Sequence, residues 1–236
     1  MQLSFSNERV LAVVAHPDDA ELLCAGTLAR ALADGAVVAI CVLCRGDKGQ
    51  PDPPIDDLAE IRRSEMSASA DLLGADLLCC DFDDGELSDG PASRRMLLEI
   101  YRRFRPSLVL AHAANDYHPD HQAASRLAEA VSWFCASRGQ QSGSPALDAP
   151  PSVWWMDTVN MIDFLPHFYI DVSDHVELKC AMLGCHTSQL ARGENADFSP
   201  LDDLMRRQCQ TRGAQAGTAA AEAFRSHDAW KRARAW

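Results

Sequence analysis

The sequence predicts an α/β fold in which helices cover both faces of a mostly parallel sheet. Short apolar runs, typical of strands buried on both faces, alternate along the chain with longer segments of helical periodicity. Such an alternation is typical of parallel strands that are joined by crossover helices. The chain has 236 residues, a length that fits one large α/β domain, and we expect a single domain over residues 1–236.

The elements can be assigned in chain order. The apolar run at 9–15 predicts the first strand, and the helix predicted over 20–35 ends at Gly35. The remaining elements rest on the same two patterns. They are a strand at 36–44, a Gly/Pro-rich loop at 46–54, a helix at 56–74, a strand at 76–82, a helix at 92–105, a strand at 107–112, a helix at 120–138, a surface loop at 139–151, apolar runs at 152–157 and 167–172, a helix near 173–185 and a helix from 200 into the 210s.

Composition and charge exclude several classes of partner. The net charge of -12 repels phosphate backbones and anionic lipids, so we expect neither nucleic acid nor a membrane as a partner. No apolar run approaches the ~20 residues of a membrane span. The first residues lack the basic region and apolar core of a signal peptide. We therefore expect a cytoplasmic protein.

The nine cysteines are an odd number, and most of them lie in apolar runs. That distribution is typical of buried thiols in a reducing compartment and not of a disulfide framework. Cys41 and Cys44 have the spacing of a metal or redox pair. Because they lie three apart in a predicted strand, their side chains point to opposite faces, which argues against a shared metal.

Two histidine tracts follow two of the predicted strands. The tract "AHPDDAE" at 15–21 directly follows the first strand, and "HPDH" at 118–121 follows the fourth strand after a short loop. A single His-Pro-Asp tract is most often only a turn. Because ligands bind at the carboxyl ends of the strands in open parallel sheets, two tracts at that edge predict one shared site.

The spacing within each tract is that of a metal site. His16 and Asp19 are three residues apart, as are His118 and His121, and residues three apart share a helix face. Two histidines and one carboxylate, with a fourth position for water, form a catalytic zinc set, and these ligands also accept Fe2+ or Co2+. Asp18 points elsewhere and is placed to take a proton from the water. Whichever histidine of the second tract is not a ligand could, as imidazolium, stabilise an oxyanion.

These tracts resemble those of the PIG-L or LmbE-like zinc-dependent N-deacetylases. The resemblance extends to "GTLA", "RRSE", "DGEL", "CHTSQ" and "AEAFR", so it spans nearly the whole chain. It implies a Rossmann-like fold, one Zn2+ per chain and removal of the acetyl group from an N-acetylglucosamine-containing small molecule. The segment 166–189 looks most like the branch that includes bacillithiol-pathway deacetylases. Several bacterial members are trimers or hexamers, so the resemblance also implies a homo-oligomer.

Residue by residue, the resemblance assigns roles that spacing leaves open. It makes His16, Asp19 and His121 the zinc ligands, Asp18 the general base and His118 the electrostatic stabiliser.

Five further residues are expected at the substrate pocket: Arg45, Arg62, Tyr117, His186 and Gln189. The arginines could bind sugar hydroxyls or a phosphate, or they could be solvated charges. Some family members carry a tyrosine where this chain has Asp116, and Tyr117 comes one residue later. His186 and Gln189 line the pocket on resemblance alone, the alternative being a helix cap.

Glu21 has two possible roles. It is either a first-turn acid that the helix dipole favours or a hydrogen-bond partner for a ligand histidine.

Other functions fit parts of this pattern. A two-metal phosphoesterase needs more bridging carboxylates than the tracts hold. A non-catalytic metal scaffold would not need the spare carboxylate of Asp18. A nucleotide-binding protein would carry a Gly-x-Gly-x-x-Gly after the first strand, which this chain lacks. The alternative substrate is another N-acyl amide, such as a secondary-metabolite precursor.

Overall fold

The computed structural model describes residues 4–191 and 200–228. The strands in these ranges are β1 (Arg9–Val14), β2 (Val37–Cys44), β3 (Asp76–Phe82), β4 (Leu108–Ala111), β5 (Ser152–Met156), β6 (Phe168–Asp171) and β7 (Ala221–Ser226). The helices are α1 (Asp19–Leu23), α2 (Ala25–Ala33), α3 (Leu58–Leu73), α4 (Pro91–Phe104), α5 (Pro119–Phe134), α6 (Val176–Gly184), α7 (Thr187–Leu190) and α8 (Leu201–Ala216).

One sheet contains the seven strands in the order β3-β2-β1-β4-β5-β7-β6. Parallel pairing joins β1 to β2 and β4, β2 to β3, and β4 to β5. Strand β7 runs antiparallel to both β5 and β6. The sheet is therefore mostly parallel, and the predicted fold class is confirmed.

The strand order reverses between β1 and β4. These strands are neighbours in the sheet, with Val13 in register with Ala111, although β2, β3 and four helices intervene in the chain. A reversal of this kind opens a crevice at the carboxyl ends of the two strands. The residues that directly follow β1 and β4 are therefore placed to form a site.

Apolar layers lie on both faces of the sheet. Ala12 and Val14 of β1 belong to the layer that holds Leu28 of α2. Val13 points to the opposite face, into the layer that holds Leu127 of α5. Helices thus cover both faces, as the alternating elements predict.

The predicted helix over 20–35 is two helices, because a buried carboxylate occupies the start of the second. Glu222 accepts the backbone N–H groups of Gly26 at 2.9 Å and Thr27 at 2.7 Å. Lys179 of α6 forms an ion pair with the same carboxylate. Glu222 and Lys179 are both buried, so the helix dipole and the ammonium together balance the charge of Glu222.

Strand β7 is missing from the sequence prediction. The segment "AEAFRS" is short, and its buried residues include two alanines and a glutamate, which are poor strand formers. Its conformation is set by pairing on both sides, with β5 and β6. A strand of this kind depends on its tertiary neighbours and not on the local sequence.

Candidate active site

The first histidine tract continues directly from β1. His16 and Pro17 lead into α1, and Asp18 is the N-cap residue of that helix. The backbone of Asp18 is left-handed, with φ 85°, a conformation that aspartate adopts more readily than most residues. The N–H of His16 donates to Oδ2 of Asp19 at 2.7 Å, which fixes the turn. His16, Asp18 and Asp19 all line the cavity above this edge of the sheet.

The second tract lies beside it, at the start of α5. His118 is the N-cap residue, and its Nδ1 accepts the N–H of Asp120 at 3.1 Å. Pro119 occupies the first helical position, where a missing N–H costs nothing. His121 follows on the first turn and is 2% exposed. The second tract thus brings its histidines to the edge that carries the first.

Three side chains converge as metal ligands would. Nδ1 of His16 lies 3.3 Å from Nε2 of His121. Asp19 places Oδ1 3.4 Å from Nε2 of His121 and Oδ2 3.6 Å from Nδ1 of His16. Asp19 thus approaches each imidazole with a different oxygen. Among the described residues, two groups that share His121 have ligand atoms close enough for one ion: His16, His118 and His121, and Asp19, His112 and His121. His118 adds a third imidazole whose ligand atom lies within 4.8 Å of the two histidine donors.

Each of the two imidazoles has a carboxylate at its other ring nitrogen. Oδ2 of Asp120 lies 3.0 Å from Nε2 of His16 and accepts the N–H of Gly85 at 2.8 Å. Oδ1 of Asp116 lies 3.0 Å from Nδ1 of His121. Such contacts fix the tautomer and the orientation of metal-ligating histidines. They supply a second, independent sign that the donor set suits a metal ion.

The same carboxylates stabilise positive charge. Burial lowers the pKa of His16, but hydrogen bonds to Asp120 and Asp19 raise it by more, to about 10. Burial likewise lowers the pKa of His121, while Asp19 and Asp116 raise it to about 9. A divalent cation would replace the protons on these nitrogens, and the negative charges of the same carboxylates would stabilise it.

Asp18 lies beside the ligand atoms but belongs to none of the metal-binding groups in the described residues. Its side chain is 9% exposed and lines the cavity. Burial raises the pKa of Asp18, and the charge of Asp19 raises it further, to about 7, although His186 opposes both effects. A carboxyl group with a pKa near neutrality can accept a proton and return it.

The hydrogen bonding of His118 favours a neutral ring. Its Nδ1 accepts a hydrogen bond, so the proton of the ring is on Nε2. Burial, and then the charges of His16 and His121, lower the pKa of His118. The imidazolium expected at this position is not favoured by this geometry and stays a prediction. A neutral ring still offers the Nε2–H group as a hydrogen-bond donor.

The two tracts form the floor of a cavity of about 320 Å³. Tyr117 lines it, with its side chain 53% exposed and its ring 5.7 Å from that of His121. Gln189 lines it too, and its amide donates to the carbonyl of Pro17 at 2.8 Å. Apolar side chains complete the wall: Leu22, Val159, Leu190 and Leu201.

Of the two arginines expected at the pocket, Arg62 lines the cavity and Arg45 does not. Arg45 is not part of the cavity lining, and its guanidinium pairs with Asp83 and, at 3.5 Å, with Asp47. Arg62 lines the cavity, but it is 2% exposed and donates to the carbonyl oxygens of Gly46 at 2.5 Å and Gly49 at 2.8 Å. Arg62 therefore anchors the loop after β2.

His186 also lies away from the cavity lining. It is fully buried, and its Nε2 lies 3.2 Å from Oε1 of Glu21. Glu21 therefore pairs with a histidine outside the ligand set and also accepts the hydroxyl of Ser69. Glu21 lies in the first turn of α1, as the first of the two roles requires, and the histidine that it contacts is not one of the expected ligands.

His112 is a site residue that the sequence prediction lacks. It directly follows β4 and is fully buried. Its ring stacks on His121 with 4.0 Å between centroids. Its Nε2 accepts the N–H of Ala15 at 3.0 Å and lies 3.2 Å from Oδ2 of Asp19. In the sequence, the one indication that His112 belongs to the site is its position directly after β4, the strand at which the sheet order reverses.

Fold and site together define a Rossmann-like α/β protein with a His/His/Asp group suited to a divalent metal. The family model of PIG-L, described as GlcNAc-PI de-N-acetylase, matches residues 11–132, just over half of the chain. The chain therefore belongs to the PIG-L family, as the resemblance implied. The matched region contains both histidine tracts.

Curated relatives cover most of the chain. Diacetylchitobiose deacetylase of Thermococcus kodakarensis is 29% identical in an alignment of 195 residues that covers 77% of this chain and 70% of the relative. The 1D-myo-inositol 2-acetamido-2-deoxy-alpha-D-glucopyranoside deacetylase of Corynebacterium diphtheriae is 26% identical, over 77% of this chain and 76% of the relative. The 4-oxalmesaconate hydratase of Pseudomonas putida is 25% identical, over 76% and 73%.

Solved structures share the whole architecture. A conserved protein from Thermus thermophilus superposes with a TM-score of 0.82 at 30% identity, over 97% of this chain and 100% of that one. N,N'-diacetylchitobiose deacetylase from Pyrococcus horikoshii also gives 0.82, at 25% identity, over 93% and 83%. Within the residues described, no helix combines the length and apolarity that a membrane crossing requires.

Proposed function

We propose that this protein is a metal-dependent deacetylase that removes the acetyl group from an N-acetylglucosamine-containing small molecule. The observation that carries the proposal is the position of Asp18. Its buried carboxylate lies in one cavity with the His16, Asp19 and His121 donors, and it is not needed as a ligand. The deacetylases among the relatives support the reaction class.

We propose zinc as the ion and His16, Asp19 and His121 as its ligands. When bound, the ion would supply Lewis acidity toward a water molecule and the amide carbonyl. Asp116 and Asp120 hold the two imidazoles in the orientation that presents their inner nitrogens to one point. The cytoplasmic location, the trimer or hexamer and the single domain over 1–236 stay predictions.

In this proposal Asp18 transfers the protons and His118 donates a hydrogen bond. Asp18 accepts a proton from the water molecule as the water oxygen attacks the carbonyl carbon of the acetyl group. The Nε2–H of His118 donates to the carbonyl oxygen as negative charge develops on it. As the C–N bond breaks, Asp18 returns the proton to the leaving nitrogen. The products are a free amine and acetic acid, and the acid gives up its proton to solvent or to the amine.

The test is amine release from a panel of N-acetylglucosamine derivatives by the zinc-loaded protein and its Asp18→Asn variant. Asparagine tolerates the left-handed backbone at this position, so the fold is kept. We expect activity on at least one derivative, a kcat roughly 10²- to 10⁴-fold lower in the variant, and equal zinc content in both proteins. Activity that survives the substitution would remove Asp18 from the mechanism.

A hydratase is the second candidate, because one relative is a 4-oxalmesaconate hydratase. Such a reaction adds water to a carbon–carbon double bond and releases no amine. Loss of the absorbance of a conjugated unsaturated acid, with no amine release from the panel, would favour this candidate over the deacetylase.

A further inference from the structure

The backbone of Asp18, which carries the carboxylate into the cavity, has an uncommon conformation. Its φ of 85° and ψ of -20° lie in the left-handed region, which residues other than glycine occupy infrequently. A conformation of this kind costs free energy and persists where the surrounding structure holds it. The side chain of Asp18 makes no capping hydrogen bond to α1, so the position of the carboxylate follows from the contacts that hold the backbone.

One of these contacts comes from Gln189 of α7. Its side-chain amide donates to the carbonyl oxygen of Pro17 at 2.8 Å. That oxygen lies in the same planar peptide unit as the backbone nitrogen of Asp18, and φ of Asp18 is the rotation between this plane and the Cα atom. The hydrogen bond therefore fixes one side of the rotation. Helix α1 fixes the other side, because the N–H of Leu22 donates to the carbonyl oxygen of Asp18 at 2.9 Å.

Both partners of this hydrogen bond are buried. Gln189 is 7% exposed, and Pro17 is buried as well. A buried carbonyl oxygen that loses its donor is costly to leave unsatisfied. Without the amide of Gln189, rotation of the Pro17–Asp18 peptide toward another donor or toward water would be favoured, and such a rotation changes φ of Asp18. The hydrogen bond is therefore suited to hold the left-handed backbone.

Contacts with α1 and α3 hold α7 itself in place. The carboxylate of Glu65 on α3 accepts the N–H of Ser188 at 2.8 Å and its hydroxyl at 2.7 Å. His186, the N-cap residue of α7, places Nε2 3.2 Å from Oε1 of Glu21 in α1. All of these side chains are buried. Gln189 therefore extends from a segment that is attached to both helices, and its amide is held at a defined distance from α1.

We propose that Gln189 is a positioning residue for Asp18 in the deacetylase reaction, an inference that rests on the proposed function. Its amide holds the Pro17–Asp18 peptide, so that the left-handed backbone keeps the carboxylate in the cavity beside the metal ligands. Gln189 thus acts on the rate of the chemical step, through Asp18. This role differs from the substrate contact that is expected of Gln189 from the sequence.

Gln189→Met removes the donor and keeps the approximate length of the side chain. The matched control is Gln208→Met in α8, because Gln208 is 6% exposed and its amide also donates to a backbone carbonyl oxygen, that of Thr158, at 2.9 Å. The control thus loses a buried hydrogen bond of the same kind. Steady-state amine release by the full-length, zinc-loaded proteins is measured with N-acetylglucosamine, diacetylchitobiose and the inositol glycoside of N-acetylglucosamine, and the fastest substrate gives kcat and KM.

We expect Gln189→Met to lower kcat about 10- to 100-fold and to leave KM within about twofold, because a catalytic group misplaced by about 1 Å can cost roughly 100-fold in rate. The control should lower kcat less than about threefold. A raised KM with an unchanged kcat would overturn the inference and make Gln189 a substrate ligand. A loss of kcat in the control as large as in Gln189→Met would also overturn it, since any buried hydrogen bond would then have the same effect.

A double substitution tests whether Gln189 acts through Asp18. The Asp18→Asn protein lacks the carboxylate whose position Gln189 holds, so adding Gln189→Met to it should lower kcat less than about twofold further. A further loss as large as the one that Gln189→Met causes in the wild-type protein would show that the two residues act independently, and it would overturn the inference.

The failure of this inference and that of the deacetylase can be told apart. If Gln189→Met does not fold, Gln189→Asn replaces it with the same expectations, because its amide is one methylene group short of the Pro17 carbonyl. Silence of the wild-type protein on every substrate would overturn the deacetylase. In that event, crystal structures of the zinc-loaded wild type and the variant decide the positioning role. We expect the Asp18 carboxylate to move in the variant, and an unchanged Asp18 would overturn the inference.

Discussion

Replacing Asp116 with asparagine is expected to weaken metal binding while the fold persists. Oδ1 of Asp116 lies 3.0 Å from Nδ1 of His121 and accepts the N–H of His118 at 3.0 Å. Asparagine keeps an acceptor oxygen at this position but loses the negative charge. Loss of such a partner lowers metal affinity by about 10- to 100-fold, which corresponds to roughly 1.4–2.8 kcal/mol.

The same substitution has a separate effect on stability. Oδ2 of Asp116 is buried without a hydrogen-bond partner among the described residues. An amide group in its place would be an unsatisfied donor and would cost about 1–3 kcal/mol of folding free energy. The melting temperature of the metal-free protein, followed by circular dichroism, reports this part separately from metal affinity.

Competition with a chromophoric chelator measures the zinc affinity of the variant. The matched control is Asp89→Asn, which removes a carboxylate that pairs with Arg94 at 2.7 Å on the surface. We expect less than a twofold change for the control. If the zinc affinity of Asp116→Asn also stays within twofold of the wild type, the carboxylate of Asp116 does not strengthen zinc binding through His121, and the prediction is wrong.

Two further predictions concern buried charges and pH. Lys179→Met leaves Glu222 without its cation and should lower the free energy of unfolding, measured in urea, by about 3–5 kcal/mol. Adding Glu222→Gln should recover part of that loss. If Lys179→Met lowers the free energy of unfolding by less than about 1 kcal/mol, the ion pair is not needed for stability. Because the folded-state pKa values of His16 and His121 are raised to about 10 and 9, their contribution to the stability of the metal-free protein is full below pH 6.5 and is lost as the pH rises through 9 to 10. Thermal melts between pH 6 and 10 test this, and a melting temperature that rises over this range would contradict it. Zinc binding at pH 7 should also release protons, which calorimetry in two buffers can count.

The sequence predicts the parallel part of the fold well because its signals are local. Strands β1, β2 and β4 are continuous apolar runs, and each is buried on both faces. The two histidine tracts are also local patterns, and their positions after β1 and β4 lead to one shared edge. Local periodicity is enough to bring the two tracts to one edge of the sheet, and the choice of His121 over His118 rests on the family resemblance.

The rest depends on contacts between distant residues. Arg62 has the appearance of a substrate ligand in sequence, but two loop carbonyls bind its guanidinium. His112 has no neighbouring motif, and only the pairing of β1 with β4 places it against Asp19. The break between α1 and α2 depends on Glu222, 196 residues beyond Gly26. Local sequence patterns do not predict contacts between residues so far apart in the chain.

The contact between Glu222 and the start of α2 has a consequence for synthesis on the ribosome. Both histidine tracts emerge once α5 has been made, but the carboxylate that holds α2 arrives only with β7. Until β7 inserts between β5 and β6, a nascent chain has an open sheet edge and an ammonium at Lys179 without its partner. A translation arrest before residue 221 would therefore leave the start of α2 without the carboxylate that accepts its N–H groups, and Lys179 without its ion-pair partner.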